Sequence, residues 1–120
     1  MLKKVLGIIV TLWVCSLVIL GSFLVQPAMA TPDLAVGSQV FKSNCMGCHI
    51  GGRNSIIAAK TLKLDALHEY LLDTPEAIIA QVTNGKNAMP AFGRRLNPDQ
   101  IESVAAYVLD QAEKDWPRNG

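Results

Sequence analysis

The sequence contains few aromatic residues, few charged residues and no excess of positive charge. Aromatic residues account for 6% of its 120 residues and charged residues for 18%, and the formal net charge is +1. A strong basic excess is the usual mark of a nucleic-acid-binding domain, so nothing indicates a nucleic-acid partner. The sequence has no internal repeat, no low-complexity segment and no alternating apolar run that would indicate a strand. Length and pattern together predict one small all-α domain.

The hydrophobic residues are concentrated at the N-terminus. Two lysines near the start precede an uncharged, mainly apolar run over residues 5–25, and Ala28-Met29-Ala30 follows. A basic start, an apolar run and small residues spaced A-x-A are the parts of a secretory signal peptide. We therefore predict that residues 1–30 are a cleaved signal peptide and that residues 31–120 form the domain. The alternative is an uncleaved membrane anchor, because an apolar run of about 20 residues can span a bilayer.

The predicted domain is short for a chain that must form its own hydrophobic core, and it contains only two cysteines. Residues 31–120 carry nine basic and ten acidic side chains, a net charge of −1, and their cysteines are Cys45 and Cys48. A chain of 90 residues is near the lower end of the size range that folds on its own core. A cofactor that fills the interior would therefore add stability.

Apolar spacing and capping residues predict four helices in this domain. They cover residues 34–44, 65–72, 75–84 and 98 to about 112, and Pro117 is expected to stop the last one. Pro32 and Asp33 are the start signals of the first helix. The third helix begins with Thr74-Pro75-Glu76, a capping threonine followed by a first-turn proline and an acid. The fourth begins with Asn97-Pro98-Asp99-Gln100, which has the composition of a capping box.

The most specific motif is Cys45-Met46-Gly47-Cys48-His49, the C-x-x-C-H pattern of c-type haem attachment. Two thiols three positions apart on a helical turn can reach the two vinyl groups of one porphyrin and form thioethers. His49 then lies under the iron and can supply an imidazole nitrogen. The motif predicts one covalently bound haem c.

Other uses of these residues are weaker. A thioredoxin-like dithiol needs a nearby βαβ pattern, which is absent. A structural zinc site needs four ligands, and the candidates are Cys45, Cys48, His49 and His68, two of which are adjacent. A structural disulfide between Cys45 and Cys48 would close a trivial loop and add little stability.

Met89 is the candidate for the second axial ligand of the iron. It follows a predicted helix end and precedes a proline, which favours an extended backbone suited to a loop across the far haem face. The alternatives are that Met89 only fills the core or that His68 is the ligand. Met46 lies inside the attachment motif and cannot reach the opposite face. With both axial positions filled, the iron is closed to substrates, and the site predicts an electron carrier and not an enzyme.

Beyond the haem motif, the chain resembles the cytochrome c6 family over nearly all of residues 33–116. The matching strings include Asp33-Leu34-Ala35, Phe41 through His49, Gly51-Gly52-Arg53-Asn54, Lys60-Thr61-Leu62, Asn84 through Phe92 and Ala105-Ala106-Tyr107-Val108. The resemblance implies a class I cytochrome c fold of about four helices in which the N- and C-terminal helices of the domain cross. Gly37, Phe41 and Tyr107 suit that crossing.

The resemblance also implies partners and a compartment. The family carries electrons in the thylakoid lumen from cytochrome f of the cytochrome b6f complex to photosystem I, and it can also feed a terminal cytochrome c oxidase. The expectation is a monomer peripheral to the membrane. The runner-up hypothesis is a haem enzyme, a haem subunit of an oxidoreductase, or a membrane-anchored cytochrome c that donates to a terminal oxidase.

Four further residues receive roles from the resemblance alone. Gln81 aligns with a glutamine near the haem that tunes the potential, and Lys60 aligns with a lysine near a haem propionate. Arg94 and Arg95 follow the Met89 loop, and an arginine at the second position helps the family dock to photosystem I. The alternative for each is a solvated polar residue, and without the resemblance Gln81 would be interpreted in that way.

Overall fold

The structure, a computed structural model, describes residues 1–21 and 31–117. The chain divides into two compact units, Met1–Ala30 and Thr31–Gly120. The first unit contains helix α1, Leu2–Gly21. No helix within the described ranges is both long and apolar enough to cross a membrane. The predicted cleavage site at Ala28-Met29-Ala30 lies outside the described residues, so cleavage stays a prediction.

The second unit is helical, as predicted. Its helices are α2 (Leu34–Asn44), α3 (Met46–His49), α4 (Leu64–Glu69), α5 (Pro75–Asn84) and α6 (Pro98–Glu113), and a 3₁₀ turn covers Ile50–Gly52. The part of the chain that the structure describes contains no strand, only an isolated bridge between Lys86 and Met89. The all-α class is confirmed, and the short α3 and the 3₁₀ turn join the four predicted helices.

Side chains cap the helices as the sequence indicates. The Asp33 carboxylate accepts a hydrogen bond from the Ala35 N–H at 2.7 Å, and the Thr74 hydroxyl accepts one from the Ala77 N–H at 3.3 Å. Asn97 and Gln100 form a reciprocal capping box at 2.9 and 3.0 Å. Each cap satisfies a backbone donor that has no partner within its own helix.

One helix ends earlier than the sequence predicts. α4 stops at Glu69 and not at residue 72, because Leu71 has a φ of 57°, in the left-handed region. α6 ends at Glu113, close to the predicted end, and Asp115 and Trp116 beyond it have φ values of 52° and 51°. A non-glycine residue in this region costs roughly 1–2 kcal/mol, which backbone hydrogen bonds across each helix end help to offset.

The crossing of α2 and α6 is the main packing contact of the domain. A Cβ at Gly37 would collide with the Ser103 carbonyl and the Tyr107 side chain, so the two backbones approach closely there. The Phe41 and Tyr107 rings pack with centroids 5.5 Å apart. The predicted crossing, with these residues as its partners, is confirmed.

The core lies between α6 and the helices that pack on it. Val104 is 1% exposed and Ala105 is fully buried, and both belong to the apolar stripe of α6. Burying a valine side chain contributes about 1.5–3 kcal/mol. Trp116, which was not predicted as a core residue, closes this cluster beyond the end of α6. The same core forms the floor of a cavity.

Candidate haem site

A cavity of about 270 Å³ opens between α2, α5, α6 and the connecting loops. Its walls are mainly apolar, with contributions from Phe41, Leu62, Leu67, Ile78, Val82, Phe92, Val104 and Val108. The cavity also gathers six of the predicted site residues, which are Cys45, Cys48, His49, Lys60, Gln81 and Met89. Residues separated by more than 40 positions in sequence therefore face one enclosed space.

The two cysteines and His49 are placed by a helical turn. Cys45 ends α2 and begins α3, and its carbonyl accepts hydrogen bonds from the N–H groups of Cys48 at 3.1 Å and His49 at 2.9 Å. Both thiols are free, Cys45 half-buried and Cys48 exposed. The turn puts both sulfurs and the imidazole against the same cavity, as the motif predicts.

Burial sets the charge state of the Cys45 thiol. Loss of solvent, reinforced by the neighbouring Cys48, raises the pKa of Cys45 to about 11. The neutral thiol is therefore the favoured form of this side chain. Within the described ranges, no cluster of three or more His, Cys, Asp or Glu side chains could hold a metal ion, so the four zinc ligands that the sequence offers are not brought together.

The His49 imidazole is oriented by the main chain. Its Nδ1 lies 3.0 Å from the Arg53 carbonyl. Because a carbonyl only accepts, Nδ1 carries the proton and Nε2 keeps a free lone pair. Burial lowers the pKa of His49, partly offset by this hydrogen bond, so the neutral form is favoured. A neutral imidazole whose second nitrogen donates to a carbonyl is the usual arrangement of a histidine that binds a metal.

Met89 lies in a tight turn anchored to α5. Lys86 and Met89 exchange two backbone hydrogen bonds of 3.0 Å, and the turn begins at Gly85, whose φ is 68°. A Cβ at Gly85 would lie 2.7 Å from the Met89 carbonyl oxygen, so glycine is required by both conformation and space. After the turn, the Phe92 N–H donates to the Val82 carbonyl at 2.9 Å. The half-buried thioether is thereby held at the cavity.

Gln81 is the polar neighbour of that thioether. It lies on α5, half-buried, and its side-chain amide donates to the Met89 sulfur at 3.7 Å. It is therefore not the exposed polar residue that the helix pattern alone would suggest. An amide donor on a sulfur lone pair withdraws electron density from it, which is a direct means of altering how strongly sulfur donates to a metal.

The remaining predicted residues lie at the rim or outside it. Lys60 is half-buried at the cavity, with its ammonium 5.2 Å from the Tyr70 ring centroid. Arg94 and Arg95 are exposed and do not line the cavity, but the Arg95 guanidinium lies 5.3 Å from the ring centroid of Phe92, which does. These two cations are surface charges beside the cavity wall.

Neither His68, the alternative iron ligand, nor Met46, which the motif already excludes, lines the cavity. His68 is exposed on α4, and its Nδ1 lies 2.7 Å from an Asp73 carboxylate oxygen. Met46 is half-buried and packs against the hydrophobic core. Neither side chain is among those that line the cavity. Met89 is the methionine that the fold brings to the site.

The residues present fit a haem c. Two free thiols on one helical turn, a neutral imidazole with its Nε2 available and a thioether face an apolar cavity in a helical fold. That donor set and that fold define a class I c-type cytochrome.

Comparisons with known proteins specify the family. The sequence model of a family described as "Cytochrome C oxidase, cbb3-type, subunit III" matches residues 32–108. Cytochrome c6 of a Synechococcus species is 52% identical over 108 residues, covering 90% of this chain and 96% of that protein. Cytochrome c6 of Gloeothece citriformis is 54% identical over 103 residues, covering 86% and 93%. The crystal structure of cytochrome c6 from the diatom Phaeodactylum tricornutum matches with a TM-score of 0.69 and 53% identity, covering 70% of this chain and 99% of that one.

The chain belongs to the cytochrome c6 family. It is an electron carrier of the c-type cytochrome class, and haem c is the cofactor of that class.

Two features of the site were not predicted from the sequence. One is the Arg53 carbonyl beside His49, and the other is the Trp116 indole, whose N–H donates to the Leu62 carbonyl. The first is a main-chain group, which carries no sequence signal, and the second depends on a contact over 54 positions.

Proposed function

We propose that the chain carries electrons from cytochrome f of the cytochrome b6f complex to photosystem I in the thylakoid lumen, as a monomer peripheral to the membrane. The proposal holds that one haem c is attached through Cys45 and Cys48, with His49 and Met89 as axial ligands. When bound, the haem supplies the reversible Fe(II)/Fe(III) couple. The observation that carries the proposal is the convergence of all four side chains on one apolar cavity.

The chain's own residues have distinct parts in this proposal. His49 presents an unprotonated Nε2 because its Nδ1–H donates a hydrogen bond to the Arg53 backbone carbonyl. Met89 presents a thioether, and a soft sulfur ligand favours the reduced state and raises the potential. The apolar walls exclude water, and the half-buried Lys60 at the cavity would pair its positive charge with a haem propionate. Gln81 adjusts the donor strength of the sulfur through its hydrogen bond.

The Met89 assignment has a direct spectroscopic test. The oxidised protein should show the weak sulfur-to-iron charge-transfer band, and Met89→Ala should abolish it and lower the midpoint potential. Met46→Leu is the matched control, because Met46 packs in the core and does not line the cavity. A band that survives in Met89→Ala would show that the ligand assignment is wrong.

The docking proposal depends on the two exposed arginines beside Phe92. Positive charges near the cavity wall would steer an acidic partner and increase the association rate, an effect that salt screens. Arg95→Glu should slow electron transfer to photosystem I about tenfold or more at low salt, with less effect at high salt. Lys42→Glu makes the same charge change on α2, away from the cavity lining, and should have a smaller effect. Equal effects of the two variants would contradict docking at Arg95.

The proposed compartment rests on the predicted signal peptide, which indicates export, and on the family resemblance, which implies the thylakoid lumen. If residues 1–30 are removed on export, mass spectrometry of protein from its native membrane system should find Thr31 at the N-terminus. A longer N-terminus would favour the anchored alternative instead.

A second candidate is a haem subunit of, or donor to, a terminal cytochrome c oxidase. The observation that favours it is the description of the matching family model as an oxidase subunit. Reduced protein should be oxidised by purified photosystem I faster than by a terminal oxidase if the primary proposal holds. Co-purification with an oxidase complex would favour the second candidate.

A further inference from the structure

The C-terminal end of the described chain packs on the loop that follows the haem motif. Trp116 is 8% exposed, and its indole N–H donates to the Leu62 carbonyl at 2.8 Å. Leu62 in turn donates its own N–H to the Gly52 carbonyl at 2.7 Å. These two bonds connect the tail to the backbone immediately before Arg53.

The face of the same indole lies directly on Gly52. A Cβ at Gly52 would collide with three atoms of the Trp116 ring, and Gly52 has a φ of 72°. Glycine therefore meets two demands at this position, a left-handed backbone and a flat aromatic surface against it. The indole packs in turn against Phe41, with ring centroids 5.1 Å apart, and against Tyr107, at 6.3 Å. Trp116 thus links the loop to the crossing of α2 and α6.

The backbone beneath the indole leads straight to the group that orients His49. Arg53 follows Gly52, and its carbonyl accepts from His49 Nδ1 at 3.0 Å. Arg53 also donates its N–H to the Ile50 carbonyl, and the Ser55 N–H donates to the Cys48 carbonyl at 3.0 Å. The carbonyl is therefore part of a loop whose position is set by the tryptophan on one side and by the haem motif on the other.

The backbone at the tail is held against its intrinsic preference. Asp115 and Trp116 are consecutive non-glycine residues in the left-handed region. Such a conformation is unfavourable for each residue and persists only where surrounding contacts demand it. The contacts here are backbone hydrogen bonds to the end of α6, the indole packing, the bond to Leu62 and an exposed ion pair of 2.9 Å between Asp115 and Lys63.

We infer that Trp116 is a positioning residue for His49, holding the Arg53 carbonyl where it accepts the Nδ1 proton of the imidazole. The inference rests on the proposed function, in which His49 binds the haem iron. A firm Nδ1–H···O bond raises the basicity of the imidazole and stabilises the oxidised metal. Trp116 therefore influences the potential without contacting the haem ligand itself.

The test uses the reduced holoprotein labelled with ¹⁵N-histidine. NMR of the wild-type protein should show the Nδ1–H signal of an iron-bound His49, with slow exchange against solvent. Trp116→Phe keeps an aromatic ring and removes the indole donor, so exchange of this proton should become at least tenfold faster. The midpoint potential should shift to more positive values, because the weakened bond makes the imidazole a poorer donor to ferric iron.

Ile101→Val is the control variant. Ile101 is 5% exposed in the same core and does not line the cavity, so the variant loses stability without touching the loop. Its His49 exchange rate and its potential should match those of the wild type. If Trp116→Phe does not yield holoprotein, Trp116→Tyr, which adds a hydroxyl to the same six-membered ring, is measured in the same way.

The outcomes separate this inference from the proposed function. Unchanged exchange and potential in the Trp116 variant, or the same changes in Ile101→Val, would overturn the inference alone. Absence of an iron-bound His49 signal from the wild-type holoprotein would overturn the ligand assignment on which both depend.

Discussion

The two sides of the cavity are held by contacts of very different range. On the histidine side, the loop over residues 50–63 is tied to the C-terminal tail by hydrogen bonds that span 52 and 54 positions. On the methionine side, Met89 is held by Gln81, eight positions away, and by backbone bonds that join residues 92 and 93 to the end of α5. The histidine side is therefore held by contacts between distant parts of the chain, and the methionine side by contacts within one local turn.

This difference implies an order of opening. Segments held by few, local contacts open at lower free energy than segments whose contacts extend through the core. The Met89 turn should therefore be released before the His49 loop when the holoprotein is heated or treated with denaturant. Three substitutions test the contrast, from the largest expected effect to the smallest.

Gly52→Ala should have the largest effect, because Gly52 lies on the histidine side of the cavity, which is held by long-range contacts. The added methyl group meets the Trp116 ring and forces alanine into a left-handed backbone, so the free energy of unfolding should fall by about 3 kcal/mol. Gly51→Ala is the matched control, with a φ of 58° but nothing within 4 Å of the new methyl group. It should lose only about 1 kcal/mol. Guanidinium unfolding of the holoproteins measures both, and equal losses would contradict the packing argument.

Gly85→Ala should act mainly on the methionine side of the cavity, which is held by local contacts. Its methyl group would approach the Met89 carbonyl oxygen and the Ala91 nitrogen, each at 2.7 Å, with a φ of 68°. We expect a loss of about 2 kcal/mol that appears first in the Met89 turn. The denaturant midpoint of the sulfur-to-iron band should fall further than the midpoint of far-ultraviolet circular dichroism. Coincident midpoints in wild type and variant would show that the turn and the core unfold as one unit.

Asp115→Asn should have the smallest effect, even though it lies in the long-range contact. The Lys63–Asp115 pair is exposed, and surface ion pairs contribute little. The hydrogen bond to Asp115, followed by its charge, raises the pKa of Lys63. A raised pKa in the folded state means that the pair's contribution is present at neutral pH and is lost as pH rises through that pKa.

Thermal unfolding at pH 7 and at increasing alkaline pH checks this expectation. The melting temperatures of Asp115→Asn and wild type should differ slightly at pH 7, and the difference should shrink as pH rises through the raised pKa of Lys63. A large difference at neutral pH would mean that the ion pair, and not the indole, holds the tail.

Local signals in the sequence predicted the parts of this fold that depend on neighbours in the chain. The caps at Asp33, Thr74 and Asn97 formed as expected, since each needs only a side chain and an amide a few positions away. The turn of the haem motif likewise follows from its own spacing. The crossing of α2 and α6 was anticipated through the family resemblance, which supplied the long-range information that periodicity lacks.

The features that escaped the helix pattern are unusual backbone conformations and distant contacts. Leu71 adopts a left-handed backbone that its side chain does not favour, so the predicted helix overran the true end of α4. Trp116 bonds to the Leu62 carbonyl, 54 positions away, and no local signal marks that contact. The helix pattern alone gives Gln81 the position of a surface residue, and the family resemblance supplied its role near the haem.

The position of Trp116 also gives the protein an optical reporter. The sequence has two tryptophans, and only Trp116 remains if residues 1–30 are removed. Its ring packs on Phe41, a cavity residue, so a bound haem would quench its fluorescence by energy transfer. Emission would then appear only when the tail detaches or the chain unfolds, and a single intrinsic fluorophore would follow that event without any added label.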